Sequence, residues 1–339
     1  MALPLALTMG EPAGIGGEIA LKAWLGREDA IPPYYIIDDP ERLAALAADL
    51  DWPVPIRAIT SPSETGATFP VALPVVPVRG MAQARPGRPD PVNAPAVLAA
   101  IDAAVDDVRS GRAAAMVTNP VHKDSLYRAG FRHPGHTEYL AELAGGAFTP
   151  VMMLVCPELR VVPVTIHLPL RQAVDTLDAP AIVTAGKIVH AALRRDFGIA
   201  APVLAIAGLN PHAGEAGGLG REEIDIIAPA IAALRAEGVD ARGPFAADTM
   251  FHAEARRGYD AALCMYHDQA LIPIKTIDFD GGVNVTLGLP FVRTSPDHGT
   301  AFAIAGTGSA RPASLIAALR LAARMAATRL ACAEVEAPA

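Results

Sequence analysis

The chain has 339 residues, of which 52% are hydrophobic and 19% charged, so it can bury a large core and is not intrinsically disordered. Its length exceeds that of one compact core and suits two α/β lobes. The formal net charge is −8 and no basic stripe interrupts this balance, which argues against a nucleic-acid partner.

Membrane and secreted classes are also disfavoured. No run of 18 apolar residues is free of charges or breakers, so we expect no membrane span. The apolar N-terminus lacks a basic region and soon meets Glu11, which fits a buried first strand better than a signal peptide. Three widely spaced cysteines predict buried thiols in a reducing compartment, and hence a cytoplasmic protein. They are Cys156, Cys264 and Cys332.

Short apolar runs alternate with longer amphipathic runs along the whole chain, which predicts an α/β fold with a mostly parallel, doubly wound sheet. The predicted strands are 2–8, 34–37, 71–76, 114–117, 151–155, 161–166, 203–207 and 261–265. The predicted helices are one that follows the glycine-rich segment 10–17 and others at 40–50, 91–110, 179–195, 221–237 and 313–327. Segment 84–95 is rich in Pro, Arg and Gly and predicts a surface loop.

Three histidines follow closely on apolar runs that are predicted as strands. They are His167, His212 and His267. Ligands gather beyond the carboxyl ends of strands in open α/β sheets, so these imidazoles could converge on a cation, with Asp268 and Asp248 orienting their rings. The alternative is that each is an ordinary hydrogen-bonded loop residue and each aspartate a helix cap.

Two glycine-rich segments could approach a phosphate or a ribose. The first, 10–17, follows a strand and opens a helix, but it matches no phosphate-loop signature, and a tight turn explains it equally well. The second, 295–308, is a long loop of small residues, for which we favour a nucleotide over a plain loop.

Cationic and polar residues near these loops are those that a phosphate monoester requires. Lys275, Asn284 and Arg293 lie between the two loops in the chain, and His136 with Thr137 stands at a predicted helix start. Each could instead be a surface residue. Their joint placement indicates an anion site.

Six motifs occur in order, and together they closely resemble the 4-hydroxythreonine-4-phosphate dehydrogenase family of pyridoxal 5′-phosphate synthesis. The resemblance runs from about residue 3 to 327, and the NPHAGE and HDQ blocks are highly specific. The motifs are TMGEPAGIG (8–16), TNP (118–120), GHTE (135–138), GLNPHAGE (208–215), MYHDQ (265–269) and DHGTA (297–301).

The resemblance implies two α/β/α lobes around a cleft, as in isocitrate and isopropylmalate dehydrogenases. We expect one lobe at 1–135 plus 280–339, with the glycine loops, and the other at 136–279, with the metal ligands and dimer contacts. It also implies a homodimer whose metal site is shared between subunits, so that the three histidines do not close a site within one chain.

The resemblance also assigns roles to residues. The metal falls on His167, His212 and His267, and these with Lys275 are the expected catalytic residues. The substrate falls on His136, Thr137, Lys275, Asn284 and Arg293. The nucleotide falls on Asp297, His298, Gly299, Thr300, Gly306 and Gly308.

The implied reaction is oxidation of 4-phosphooxy-L-threonine at C3 by NAD or NADP. The product, 2-amino-3-oxo-4-(phosphooxy)butanoate, then loses CO2 to give 3-amino-2-oxopropyl phosphate. One divalent cation per subunit, zinc, cobalt or magnesium, would act as a Lewis acid.

Two other functions remain open. Related dehydrogenases act on D-threonate or D-erythronate 4-phosphate, or on dihydrodiols of aromatic dicarboxylates. A non-catalytic phosphate- or nucleotide-binding protein is a candidate of another class. The chain also departs from the family pattern, with Glu11 in place of Asp and Ala303 in place of an acidic residue, and the second change bears on the cofactor pocket.

Overall fold

The chain folds into two compact units, seen here in a computed structural model. The structure describes residues 3–78, 84–133, 135–146 and 148–336. The first unit comprises 1–150 and 289–326, and the second comprises 151–288 and 327–339. Within the described ranges, no helix combines the length and apolar character needed to cross a membrane.

The first unit contains six strands, and each neighbouring pair is parallel. They are β1 (Leu5–Thr8), β2 (Tyr34–Asp38), β3 (Ile56–Ala58), β4 (Leu73–Pro77), β5 (Ala115–Thr118) and β12 (Arg293–Pro296). Their order is β3-β4-β2-β1-β5-β12. The register sets Thr8 opposite Thr118, so β1 and β5 end level with each other.

The helices of the first unit include α4, which contributes many of the buried side chains of its core. They are α1 (Gly16–Leu25), α2 (Pro40–Asp49), α3 (Thr65–Thr68), α4 (Ala94–Arg109), α5 (Lys123–Arg128) and α6 (His136–Leu143), and α12 (Ala313–Glu336) begins here. Asp90 caps the 3₁₀ turn that leads into α4 by accepting from the Val92 N–H at 3.0 Å. The small side chains of α4, such as Ala100, pack in one cluster with Tyr35 and Met116 of the sheet.

The second unit also contains six strands, of which four in a row are parallel. They are β6 (Val151–Cys156), β7 (Leu159–Pro163), β8 (Val203–Ala207), β9 (Asp240–Phe245), β10 (Ala261–Cys264) and β11 (Val283–Leu287). Their order is β11-β6-β7-β10-β8-β9. Strand β6 is antiparallel to both of its neighbours, whereas β7, β10, β8 and β9 run in one direction.

The helices of the second unit follow its strands in the alternating α/β manner. They are α7 (Leu170–Thr176), α8 (Ala179–Arg195), α9 (Ala228–Ala236), α10 (Ala253–Arg256) and α11 (His267–Ile277). Asp178 caps α8 by accepting from the Ala181 N–H at 2.8 Å. Ala270 and Ile274 of α11 pack with Ala205 and Ala262 of the sheet in one buried cluster.

The mostly parallel α/β fold is confirmed, and all eight predicted strands are present. The first of them was predicted to begin at Ala2, which lies outside the described residues. Four strands were not predicted, namely β3, β9, β11 and β12. All four contain Arg, Asn, Gly or Pro at positions where the prediction relied on apolar side chains.

Several boundaries differ from those expected. Helix α12 continues to Glu336 and does not end at 327, and the segment 221–237 begins with a π-helical turn, Glu223–Ile227. The unit boundaries also differ from those of the expected lobes. Residues 136–150 belong to the first unit, where Leu140 of α6 is buried in the core. Residues 280–288 belong to the second unit, where β11 pairs with β6. Cys332 is half-exposed and not buried, whereas Cys156 and Cys264 are buried free thiols.

Candidate functional site

The three histidines lie beyond three neighbouring strands of the second unit. Strand β10, which precedes His267, lies between β7 and β8, which precede His167 and His212. Both pairings are parallel, so the three carboxyl ends point the same way. This arrangement is the one in which α/β sheets place ligands.

His167 and His267 are the two imidazoles that the fold brings together. Their ring centroids are 5.6 Å apart. The chain before His167 is held against β10, because the Thr165 N–H and Oγ1 both donate to the Met265 carbonyl, at 3.3 and 2.8 Å. Imidazole is a common ligand of transition metals such as Zn and Cu. Two rings this close to each other could therefore bind the same cation.

Asp268 contacts His267 in the way expected of a ring-orienting carboxylate. Its Oδ1 lies 2.7 Å from Nδ1 of His267, which leaves Nε2 as the ring nitrogen available to a ligand. Asp248 and Asp268 line the same open cavity, of about 410 Å³. The predicted second aspartate therefore lies close to the first.

His212 stands in an unusual backbone conformation. Residues 212–216 all have left-handed dihedral angles, with φ between 43° and 78°. Only Gly214 adopts these angles without steric cost, and each other residue costs about 1–2 kcal/mol. Strained backbone of this kind is concentrated at functional sites.

Glu223 holds the start of this left-handed turn. Its Oε1 accepts from the N–H groups of Leu209 and Asn210, both at 2.7 Å, and its Oε2 accepts from Asn210 Nδ2 at 3.0 Å. The side chain is buried, so these bonds are made away from water, where they stabilise most. Glu223, which follows the NPHAGE block by eight residues, was not predicted as a site residue from the sequence.

The part of the chain that the structure describes does not by itself form a closed metal cluster. Within the described ranges, no group of three His, Cys, Asp or Glu side chains is placed to hold a metal ion. The structure thus pairs His167 with His267 and leaves His212 at the adjacent strand end. The donor set fits a divalent cation in chemistry, and a third ligand is needed to complete it.

The first unit contains a buried guanidinium at the end of its sheet. Arg293 is 5% exposed, and its Nε and Nη2 donate to Thr118 Oγ1 at 3.2 and 2.6 Å. Burial lowers the pKa of Arg293 to about 10, so it keeps its charge at neutral pH. A buried positive charge of this kind favours an anionic ligand.

His136 lies within electrostatic reach of Arg293, at the N-terminus of α6. Burial, with the Arg293 charge adding to it, holds the pKa of His136 well below its usual value, so the ring is neutral. Thr137 follows in the first turn of α6, where backbone N–H groups lack helical partners. The structure therefore places His136 near Arg293, with Thr137 beside His136 in the first turn of α6.

Three buried polar atoms in this part of the first unit have no hydrogen-bond partner among the described residues. They are His136 Nε2, Asn119 Oδ1 and Thr8 Oγ1. Buried polar atoms are seldom left unpaired, so such atoms indicate a place where a ligand or water completes the bonding. Thr118 and Asn119 belong to the TNP block, but neither was predicted as a site residue.

Lys275 and Asn284, the other predicted substrate residues, lie in the second unit. Lys275 is half-buried in the last turn of α11, and its Nζ lies 5.6 Å from the Phe279 ring centroid. Asn284 lies in β11, in register with Leu154, and is half-buried. The predicted substrate residues are therefore divided between the two units.

The predicted nucleotide loop is shaped by α1. The Gly306 N–H and the Gly308 N–H (3.1 Å) both donate to the carboxylate of Glu18. Lys22 Nζ donates to the carbonyls of Gly308 and Ala310, at 2.6 and 2.7 Å. Because both glycine amides already have an acceptor, what Gly306 and Gly308 can offer a cofactor is their left-handed backbone and small size.

The remaining loop residues are more open. Gly299 has no neighbour within 4 Å of where a side chain would begin, and Ala303 is exposed. His298 Nε2 has no partner among the described residues, and the Asp297 N–H donates to Ser314 Oγ at 3.0 Å. The Thr300 carbonyl accepts from the Ile15 N–H at 3.1 Å, which fixes this loop against the first glycine segment.

The first glycine segment is a tight turn whose amides are used internally. The N–H groups of Glu11 and Gly14 donate to the carbonyls of Pro120 and Glu11, at 2.8 and 2.9 Å. The Ala13 N–H donates to the Glu11 carboxylate at 3.1 Å, and burial raises the pKa of Glu11. Of the two interpretations of this segment, the tight turn is the one that these bonds favour.

Comparisons with known proteins agree with the resemblance seen in the motifs. Residues 30–322 match the family model described as pyridoxal phosphate biosynthetic protein PdxA. A curated protein of Bradyrhizobium diazoefficiens, named 4-hydroxythreonine-4-phosphate dehydrogenase, is 59% identical over 97% of this chain and 98% of its own length.

Solved structures show the same likeness. The 4-hydroxythreonine-4-phosphate dehydrogenase of Klebsiella pneumoniae is 41% identical with a TM-score of 0.87, covering 96% of this chain and 100% of that one. A terephthalate 1,2-cis-dihydrodiol dehydrogenase of Burkholderia xenovorans is 30% identical with a TM-score of 0.64, covering 96% and 98%. The predicted family is confirmed, and the chain belongs to the PdxA family of pyridoxal phosphate biosynthetic proteins.

Proposed function

We propose that this oxidoreductase converts 4-phosphooxy-L-threonine to 2-amino-3-oxo-4-(phosphooxy)butanoate, which decarboxylates to 3-amino-2-oxopropyl phosphate. The observation that carries the proposal is the placement of His167, His212 and His267 beyond three adjacent parallel strands. The 59% identity to a protein named for this reaction supports the choice of substrate.

The proposed cation ligands are His167, His212 and His267. A divalent cation, zinc, cobalt or magnesium, would supply Lewis acidity when bound, and NAD or NADP would accept the hydride. All three ligands are neutral in the form that binds, so protons compete with the cation, and activity should fall at low pH. Asp268, at 2.7 Å from His267 Nδ1, would hold that ring in the orientation that presents Nε2.

The proposed substrate-binding residues are His136, Thr137, Lys275, Asn284 and Arg293, of which Arg293 would hold the phosphate. Arg293 supports this role through its buried charge, and His136 through an unpartnered buried Nε2 on a ring that stays neutral. A neutral ring with Nε2 protonated can donate to a phosphate oxygen without a second buried positive charge. Lys275 is proposed to bind phosphate, with proton transfer as its alternative role.

The proposed cofactor-binding residues are Asp297, His298, Gly299, Thr300, Gly306 and Gly308. The open surroundings of Gly299 and the unpartnered Nε2 of His298 support close approach of a nucleotide. Ala303 is exposed and carries no charge, so it neither attracts nor repels the 2′-phosphate of NADP.

We further propose a homodimer that completes the metal site, working in the cytoplasm. Large apolar side chains are exposed close in the chain to the histidines: Leu170 is 60% exposed and Ile272 is 64% exposed. We propose that both side chains belong to the surface that a second copy covers, because contiguous exposed apolar patches mark such interfaces. The free thiols Cys156 and Cys264 support a reducing compartment.

The direct test is formation of NADH or NADPH by the purified protein with added zinc, cobalt or magnesium. Turnover of 4-phosphooxy-L-threonine is expected, whereas D-threonate 4-phosphate and a terephthalate cis-dihydrodiol should react poorly. Faster turnover of either alternative would reassign the substrate. Phosphate binding without turnover in any metal would revive the non-catalytic candidate.

Two variants test the proposed metal-binding role and the proposed phosphate-binding role separately. His212→Ala should lose nearly all turnover and bound metal, while Arg293→Ala should mainly raise KM. His190→Ala, on α8 and outside the proposed site, is the matched control and should keep full activity. Full activity of metal-stripped His212→Ala protein would contradict the metal assignment, and activity that is unaffected by dilution to monomers would contradict the shared site.

A further inference from the structure

One buried side chain, Gln269, joins the chain segments that carry His212 and His267. Gln269 lies in the first turn of α11 and is 8% exposed. Its Oε1 accepts from the Met265 N–H at 2.6 Å, and its Nε2 donates to the Gly208 carbonyl at 2.7 Å. Met265 shortly precedes His267, and Gly208 shortly precedes His212, so one carboxamide connects both strand ends.

The same backbone unit also holds the segment of His167. Met265 accepts from Thr165 through its carbonyl, at 2.8 Å from Oγ1, and donates through its N–H to Gln269. All three histidine segments are therefore linked through Met265, and the side chain of Gln269 makes the link to the His212 segment.

The His212 segment needs such a link. Its backbone is left-handed over residues 212–216, a conformation that relaxes unless the surrounding contacts hold it. Glu223 fixes Leu209 and Asn210 within the segment, but it makes no bond to β10 among the contacts described above. Gln269 supplies a side-chain connection between the segment that leads into the strained turn and the residue that follows β10.

We infer that Gln269 is a positioning residue that sets the affinity of the cation site by fixing the His212 segment relative to His267. This inference rests on the proposed metal site. Ligand side chains must be held within about 0.5 Å of their productive geometry. Loss of a group that orients ligands typically weakens metal binding about 10- to 100-fold.

The test uses Gln269→Met, which preserves length and removes both the donor and the acceptor. Metal-free wild-type and variant proteins are titrated with Co²⁺ in competition with a chromophoric chelator, and the visible spectrum of bound Co²⁺ is recorded. The variant should bind Co²⁺ about 10- to 100-fold more weakly, with an altered Co²⁺ spectrum. The core variant Ile231→Val on α9 should leave both unchanged and controls for general loss of stability.

Gln269→Asn provides a second variant. It keeps both polar groups but is one methylene shorter, so it can reach only one of its two partners and should give an intermediate loss of affinity. If both variants bind Co²⁺ as the wild type does, the inference is overturned and the proposed function stands. If the wild-type protein itself binds no divalent cation, the proposed metal site fails and the inference fails with it.

Discussion

Glu18 is the residue at which one substitution should test how the nucleotide loop is held. Glu18 is fully buried on α1, and its carboxylate accepts hydrogen bonds from the backbone N–H groups of both Gly306 and Gly308. Glu18→Gln is nearly isosteric, but a carboxamide has only one oxygen that can accept a hydrogen bond. Its NH2 group would face one of the two backbone N–H groups, which are also donors. One of the two glycine amides is then left without an acceptor.

The expected cost follows from that single lost bond. A hydrogen bond to a charged group contributes about 1.5–3 kcal/mol, and a buried N–H left unpaired costs a similar amount that overlaps with it. We therefore expect a destabilisation of about 2 kcal/mol. For a unit of this size that lowers the thermal midpoint by about 4–8 °C.

Differential scanning calorimetry measures the midpoint, and NADH fluorescence measures cofactor affinity in the same samples. Glu28→Gln makes the same chemical change at an exposed position and should alter stability by less than about 0.5 kcal/mol. NADH affinity should fall for Glu18→Gln and stay constant for Glu28→Gln. A midpoint for Glu18→Gln within 1 °C of wild type would refute the assigned role of these bonds.

Three further outcomes are expected from urea denaturation. Asp196→Asn should cost about 1.5–3 kcal/mol, because the partly exposed Arg195 and Arg329 lose their shared buried carboxylate. Burial alone would raise the pKa of Asp196, but these two arginines lower it, so its contribution should vanish as the pH falls through that lowered pKa. His136→Gln should lose less stability than wild type between pH 7 and 5, because the pKa of buried His136 is lowered and protonation of the unfolded chain then favours unfolding. Ala216→Gly should stabilise the left-handed turn by about 0.5–1 kcal/mol, while Ala233→Gly, in right-handed α9, should destabilise by about 1 kcal/mol. Equal effects of the two glycine substitutions would contradict the strain.

Strands with a continuous apolar run could be predicted from the sequence, and strands without one could not. β8 reads VLAIA and was predicted in full, whereas β9 reads DARGPF and pairs with one neighbour only. Such a strand exposes much of its surface, so burial imposes no alternating pattern on it. β9 is defined by its backbone pairing with β8, which local composition does not encode.

The residues of the candidate site also fall into those that could be predicted from the sequence and those that could not. His167, His212 and His267 could be identified because they follow recognisable strands and stand in specific blocks. Glu18 could not, because its partners Gly306 and Gly308 lie nearly the whole chain away. The left-handed turn at 212–216 could not either, because His, Ala and Glu ordinarily favour right-handed helix, and Gly214 alone gives too weak a signal.

The position of β10 has a consequence for how the protein is made. β10 is synthesised after β7 and β8, yet it must enter between them. Until residues 261–264 leave the ribosome, β7 and β8 each lack the strand that pairs with one of their edges, so the backbone groups of that edge stay unpaired. We therefore expect the segments that carry His167, His212 and His267 to come together late in folding, because pairings between distant parts of the chain form slowly. Partly folded chains with unpaired strand edges are prone to aggregate. Amino-acid changes that slow the insertion of β10 should reduce the yield of folded protein even where the finished protein is stable.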